Sequence, residues 1–556
     1  MRTGFGAACL IVSLVIGWSD ARADEAQDKS AQVDRLFAQW DTATSPGCSL
    51  SVMKDGHIAY ERGYGMADLD HDVKITPASV FHVASVSKQF TAASILMLAN
   101  DGKLSLDDEA RKYVPQLPDF GVPITIRQLM HHTSGLRDQW DLLAIAGWRY
   151  PFDLITDGDV LALLSRQKKL NFAPGSKHLY SNTGFTLLAQ IVQKVSGQSF
   201  RSFTRDRIFL PLGMTNTHFR DNHAEIVKGM AYAYNRVGDG FELRIPHYDT
   251  VGASSLLTTV EDLARWDENF YSRQVGGPAL TAEMEEPGQL NDGTKLNYAA
   301  GLEINHYRGL KVVEHAGQDA GYKAHLARFP DQHFSVALLC NLANIDPAML
   351  TQKVADIYLS DAYTADAAVK PATLPGEDVL ARRAGLYLER GAGDRIFAVS
   401  LNGGKLQGSV GLYGKGSAME ATGADRFRYP DFPRAEVVFE EGKGGGPMDV
   451  TTYMDGRKFH HYVRVPPYKP TDLDLEPFVG TYRGEEVDVF YDVTVKNHQL
   501  WVRSLKSRDQ PLMPVTADLF DGGTARVRFT RNAEGAVSGA LLSTHRVYDF
   551  RLDRIR

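Results

Sequence analysis

Between residues 361 and 378 the pattern of apolar residues changes character, and this limits the chain more than any other feature. Before it lie long runs with helical spacing mixed with apolar strand-like stretches. After it only short alternating segments separated by glycine turns remain, and helical periodicity is gone. The stretch itself is rich in Ala, Asp and Pro and reads as a linker. A length of 556 residues exceeds one ordinary domain. The N-terminal part opens with two strands at 48–53 and 58–63, flanking the hairpin turn Lys54-Asp55-Gly56. Helices follow, among them 86–99, 184–195 and 260–270. Strands at 310–314, 322–329 and 334–339 return before a last helix at 349–359. Strands at both ends and helices between them predict an α+β domain over 24–365, an antiparallel sheet packed between helices in an α/β/α sandwich.

The C-terminal part contains a faint repeat. Ala384-Gly385-Leu386-Tyr387 followed by Leu406 recurs as Val479-Gly480-Thr481-Tyr482 followed by Leu500, offsets of 480 − 385 = 95 and 500 − 406 = 94. Two small all-β, barrel-like domains over 379–466 and 471–556, joined near Pro466-Pro467, account for it.

A net charge of −7 offers no basic patch for nucleic acid, and 43% hydrophobic residues supply an ample core. Arg2 and the apolar run 7–16, followed by Ala21-Arg22-Ala23, form a secretory leader over 1–23. The expectation is an exported protein, periplasmic or secreted, with no membrane anchor after cleavage. Cys48 and Cys340 are then the mature cysteines. Both lie in apolar strand-like runs, so buried free thiols are the plainer reading and a disulfide between them the alternative.

Three Ser-x-x-Lys matches occur, at Ser51, Ser85 and Ser165. Positions three apart in a strand point to opposite faces, which disfavours Ser51 with Lys54. Ser165 and Lys168 fall at a lysine-rich helix end. Only Ser85, within Phe81-His82-Val83-Ala84-Ser85-Val86-Ser87-Lys88, opens a long apolar helix, with Lys88 on the same face. A serine hydroxyl needs a base to become a nucleophile, and a lysine in a dry pocket can contribute to that task. Tyr180-Ser181-Asn182 and His315-Ala316-Gly317 are each unique in the chain. Tyr180 can relay a proton and Asn182 offers both an amide donor and an acceptor. The adjacent histidines His131 and His132 lack metal-ligand spacing, and neither metal nor cofactor is expected.

Together and in this order these motifs resemble the serine β-lactamase and penicillin-recognising family, in its class C and D-aminopeptidase-like branch. The resemblance spans about residues 35–360 and includes Ile126–Leu136, Ile208–Met214 and Gly252–Trp266. It implies a β-lactamase/transpeptidase-like fold and an acyl-enzyme mechanism. Ser85 attacks, Lys88 and Tyr180 move protons, and the N–H groups of Ser85 and Gln318 hold the oxyanion. Asn182, Gly317 and Gln318 then contact substrate, and His315 belongs to the site. The tail resembles the D-aminopeptidase plan, with a loop over the cleft; Gly442–Pro447 is a candidate, a plain surface loop the alternative. One departure matters. Many relatives carry lysine where His315 stands, and a histidine is mostly neutral at pH 7. The expectation is therefore a small peptide with an N-terminal D-residue, or an ester, as substrate. A β-lactamase or D-Ala-D-Ala carboxypeptidase is the alternative, and a non-catalytic cell-wall peptide-binding protein the next.

Overall fold

In a computed structural model of the chain, residues 26–364, 375–389, 391, 393–430, 432–442, 448–454, 456–504 and 508–556 are described. The predicted leader at 1–23, residues 365–374 of the predicted linker and 443–447 of the glycine-rich loop lie outside them. The chain divides into two compact units. The first holds residues up to 104, 192–288 and 297–365; the second holds 105–191, 289–296 and 366–556.

The first unit is built on a six-stranded antiparallel sheet. In chain order its strands are β1 (Cys48–Lys54), β2 (His57–Tyr64), β3 (Glu303–Tyr307), β4 (Leu310–Asp319), β5 (Tyr322–Phe329) and β6 (Phe334–Cys340). Their spatial order is β3-β4-β5-β6-β1-β2, so the two terminal stretches of the domain meet side by side at β6 and β1. The β1–β2 turn works because Asp55 and Gly56 both take positive φ, +52° and +78°, matching the twist of the strands. Both faces of β1 and β6 are covered, which explains why their residues are almost uniformly buried instead of alternating. On one face Leu50, Val52, Val336 and Leu338 pack with Val33 and Phe37 and with Leu350 and Val354 of the helix Pro347–Leu359. On the other, the helix Val260–Ser272 lies against β1 and β6, and Ser335 donates to Asp267 on it at 2.6 Å.

The register places Cys48 directly opposite Cys340, and the two form a disulfide. The plainer reading of free thiols is therefore corrected. Two strand-like runs 292 residues apart in sequence reveal nothing about register, and register alone decides the pairing.

In the second unit the helices Gln139–Ile145 and Asp157–Leu164 precede the start of Asn182–Ser196. Two β structures follow. The first is a nine-stranded antiparallel sheet whose end strands, Ser417–Ala418 and Glu420–Ala421, are separated by Met419 alone, so the sheet curls until its edges approach. The second is a closed eight-stranded barrel from Gly480 to Arg554. The sequence repeat has a physical counterpart here. Tyr387 donates its hydroxyl to the Arg383 carbonyl at 2.7 Å and Tyr482 to the Phe478 carbonyl at 2.8 Å, both from buried rings.

The barrel is pinned to the segment 105–191. Arg137, with a side chain 1% exposed, donates to Glu486 at 2.9 Å and to the Tyr548 carbonyl at 3.2 Å. Asp141 accepts from the Thr544 hydroxyl and the Arg546 N–H, at 2.6 and 2.8 Å. Asn171 bonds the Arg546 carbonyl and the Tyr548 N–H at 2.9 and 2.8 Å. Buried charges need such partners, because an unpaired one costs several kcal/mol.

Candidate active site

The helix that follows Ser85 is buried on nearly every side from Lys88 to Leu98, and from Phe90 on its residues are all apolar or small. It begins at Lys88 and runs to Asn100; Ser85 itself sits on a single 3-10 turn, Ala84–Ser87. The residue before it, Ala84, has a φ of +48°, an unfavourable left-handed conformation for a residue with a Cβ. Strain of this kind clusters where a side chain has to be presented in a set direction. Ser85 is half-buried while Val83, Ala84, Val86, Ser87 and Lys88 around it are buried.

Lys88 is fully buried, and its Nζ lies 3.1 Å from Ser85 Oγ and 2.7 Å from the Ala253 carbonyl oxygen. One helical turn on, Thr91 donates to the Gly252 carbonyl at 2.7 Å, so helix and segment 252–253 are joined at two points. Gly301 meets the helix from outside: a Cβ there would stand 2.6 Å from the Lys88 carbonyl carbon.

Strand β4 supplies the other wall. His315 and Gly317 are buried, Ala316 and Gln318 exposed, the alternation of an extended strand. Gly317 is required, since a Cβ would lie 2.2 Å from the Val83 carbonyl oxygen. His315 Nδ1 is 2.7 Å from the Ala316 carbonyl and must donate to it. That fixes the tautomer, so Nε2 accepts from the Tyr298 hydroxyl at 3.1 Å. Burial, with the Lys88 charge adding to it, pushes the imidazole down to about 3. His315 is thus a neutral, hydrogen-bonded group and not a cation.

Tyr180 and Asn182 belong to the second unit. The Tyr180 ring lies 4.2 Å from that of His132, whose Nδ1 accepts from the Ser181 N–H at 3.1 Å. Asp138, fully buried, accepts from both the backbone N–H and the side-chain amide of Asn182, at 2.6 and 2.8 Å. The Arg546 guanidinium from the barrel stands over the Tyr180 ring, 4.8 Å from its centre. The structure thus brings Ser85, Lys88, His315, Gly317 and Gln318 into the first unit, and Tyr180 with Asn182 into the second. Sequence reasoning missed Ala253, Tyr298, His132, Asp138 and Arg546. It assigns them no role, although Ala253 and His132 lie within stretches noted for their resemblance and His132 is weighed only as a metal ligand. No group of three or more potential metal ligands occurs among the described residues.

Comparison with known proteins places the chain in a family. A family profile described as Beta-lactamase matches residues 33–358. Penicillin-binding protein 4* of Bacillus subtilis is 29% identical over 330 residues, 57% of this chain and 72% of the relative. A D-aminopeptidase of Gluconobacter oxydans is 27% identical over 298 residues, 53% of this chain and 56% of the relative. The chain therefore spans little more than half of that enzyme's length. The octameric penicillin-binding protein homologue from Pyrococcus abyssi superposes with a TM-score of 0.54 at 21% identity, covering 87% of this chain and 98% of its own. A D-amino acid amidase from Ochrobactrum anthropi does so at 0.51 and 20% identity, covering 60% and 99%; these two likenesses concern the fold. With the profile spanning residues 33–358, and a serine and lysine in contact at the head of the buried helix, the chain belongs to the beta-lactamase family of serine hydrolases.

Proposed function

We propose that this chain is an exported hydrolase that cleaves small amides with an N-terminal D-residue, or small esters, through an acyl-enzyme on Ser85. The contact of buried Lys88 Nζ with Ser85 Oγ at 3.1 Å carries the reading, because it pairs a nucleophile with a base in reach of its proton. Ser85 Oγ attacks the substrate carbonyl carbon and its proton passes to the amine of Lys88. The N–H groups of Ser85 and Gln318 receive the developing oxyanion, worth about 3 kcal/mol for each well-placed donor. The resemblance gives Tyr180 the relay of this proton to the leaving amine or alcohol as its bond to the carbonyl carbon breaks, and Asn182 and Gly317 the holding of substrate. Water then releases the acyl group by the reverse route.

The neutral His315 favours substrates that bring no carboxylate to that position, and the names of the D-aminopeptidase and D-amino acid amidase relatives point the same way. It weighs against a β-lactamase or D-Ala-D-Ala carboxypeptidase. The leader at 1–23 and the Cys48–Cys340 disulfide support export to an oxidising compartment, periplasmic or extracellular. The predicted boundaries, 24–365 for the hydrolase domain with 379–466 and 471–556 after it, are part of the proposal.

Release of nitroaniline from D-alanyl-p-nitroanilide and of nitrophenol from a short p-nitrophenyl ester, in wild type and Ser85→Ala, tests the assignment. Anilide turnover lost in the variant identifies an aminopeptidase, and ester turnover alone an esterase. Activity that survives Ser85→Ala in both assays refutes the mechanism.

A further inference from the structure

Behind the nucleophile turn, inside the first unit, lies a group of polar side chains, buried or nearly so, that the mechanism above does not use: His82, Tyr248, Ser254 and Asp319. Each is attached to a different part of the catalytic apparatus. His82 Nδ1 accepts the N–H of Ala84, the left-handed residue before Ser85, at 3.3 Å. Asp319 follows Gln318 at the end of β4. Ser254 follows Ala253, whose carbonyl holds Lys88. The hydroxyl of Tyr248 joins all three. It lies 3.1 Å from His82 Nε2 and 2.9 Å from Ser254 Oγ, and it bonds Asp319 Oδ2 closely. Ser254 donates to the same Asp319 oxygen at 3.0 Å.

The protons can be followed through the group. Because Nδ1 of His82 accepts, its one proton is on Nε2, where it points to the tyrosine oxygen; burial holds this ring neutral, down to about 3. Tyr248 and Ser254 then both donate to Asp319 Oδ2. The protons of His82, Tyr248 and Ser254 are each used once, and the chain of bonds runs from the backbone before Ser85 to the backbone after Gln318. On the near side, Gly317 already touches the Val83 carbonyl, so strand and turn are in direct backbone contact. Contact sets how closely the two can approach, and the buried network opposes their drifting apart.

We propose that Asp319, Tyr248 and His82 are positioning residues for the hydrolysis: acting through Ala84 and Gln318, they fix the spacing of the two N–H donors that receive the oxyanion. This rests on the reading of Ser85 as nucleophile. A displacement of about 1 Å at such a site costs up to roughly 100-fold in rate while barely affecting ground-state binding.

The test uses full-length protein and two readouts: kcat and KM for p-nitrophenyl acetate, and the rate at which a fluorophosphonate labels Ser85, located by mass spectrometry. Tyr248→Phe and Asp319→Leu should each lower kcat and the labelling rate roughly 10- to 100-fold, with KM within about threefold of wild type. The double variant should be no slower than the worse single one, because the bonds act as a unit. Asp319→Asn, which keeps an acceptor oxygen, should stay within about threefold of wild type. Tyr248→Phe removes one oxygen and keeps the ring, so it decides the matter should Asp319→Leu not fold. Single variants within twofold of wild type, losses that multiply in the double variant, or a raised KM at unchanged kcat would overturn the proposal while leaving Ser85 labelled. A wild type in which Ser85 is not labelled, or a Ser85→Ala enzyme that keeps its activity, removes the underlying reading and the proposal with it.

Discussion

Replacing His315 by glutamine should make the protein less sensitive to acid. The imidazole is 3% exposed and held neutral down to about 3, while in the unfolded chain it titrates near 6.5. The unfolded state therefore binds a proton that the folded state refuses between these two values. Stability from this group is complete above pH 6.5, and it is lost progressively as the pH falls towards 3. At pH 5 the loss is RT ln(1 + 10^1.5), about 2 kcal/mol. His82, equally buried, adds a loss of similar size, whereas Asp319, raised by burial to about 8, acts in the opposite direction because its folded form keeps a proton that the unfolded form gives up. Such neighbouring terms cancel when wild type and variant are compared at the same pH. Glutamine offers the donor that the Ala316 carbonyl needs and the acceptor that Tyr298 needs, so the fold is retained. Urea unfolding at pH 7 and pH 5, followed by tryptophan fluorescence with Trp266 buried in the same unit, measures the difference. Wild type should lose about 2 kcal/mol more than His315→Gln on acidification. Equal losses in the two proteins, within about 0.5 kcal/mol, would show that His315 is not held neutral and would remove the argument about substrate charge built on it.

Three further substitutions probe the architecture. Gly317→Ala places a Cβ 2.2 Å from the Val83 carbonyl oxygen and should lower kcat/KM about 100-fold, read by steady-state ester hydrolysis. Replacing Cys48 and Cys340 together by alanine opens a crosslink spanning 292 residues and should cost about 2–5 kcal/mol in urea unfolding of the oxidised protein. Glu486→Gln leaves the buried Arg137 guanidinium without its carboxylate and should cost about 3 kcal/mol, seen as a lowered urea midpoint.

What could be read from sequence was what depends on neighbours along the chain. Ser85 and Lys88 are one helical turn apart, so their contact follows from helix geometry once the apolar run after them is recognised. The Asp55-Gly56 turn follows from the positive φ that both residues tolerate. Gly317 was singled out as a substrate contact, whereas the group that its missing Cβ admits in the structure is the Val83 carbonyl. What remained hidden depends on register or on distant partners. The Cys48–Cys340 pairing needs the β1–β6 register. The Arg137–Glu486 pair joins positions 349 residues apart, and nothing near either residue announces the other. The 3-10 turn under Ser85 is a further case, because helix propensity along 86–99 contains no signal that the first turn will tighten.

The electrostatics of the first unit bear on what it can accept. Lys88 directs its Nζ to the Ala253 carbonyl and to Ser85, so its amine is engaged behind the nucleophile. His315, which could have presented a second positive charge along β4, is neutral and bonded at both nitrogens. Asp319, at the end of the same strand, is held by burial up to about 8 and is largely uncharged near pH 7. The stretch 315–319 of β4 therefore offers dipoles instead of charges: backbone groups at Ala316 and Gln318 and a neutral imidazole bonded to the Tyr298 hydroxyl. Preorganised dipoles stabilise charge that develops during reaction, whereas a fixed ion of either sign would also bind the ground state of a charged substrate. A wall of this kind selects through its transition state, so its best substrates should be distinguished by kcat more than by KM.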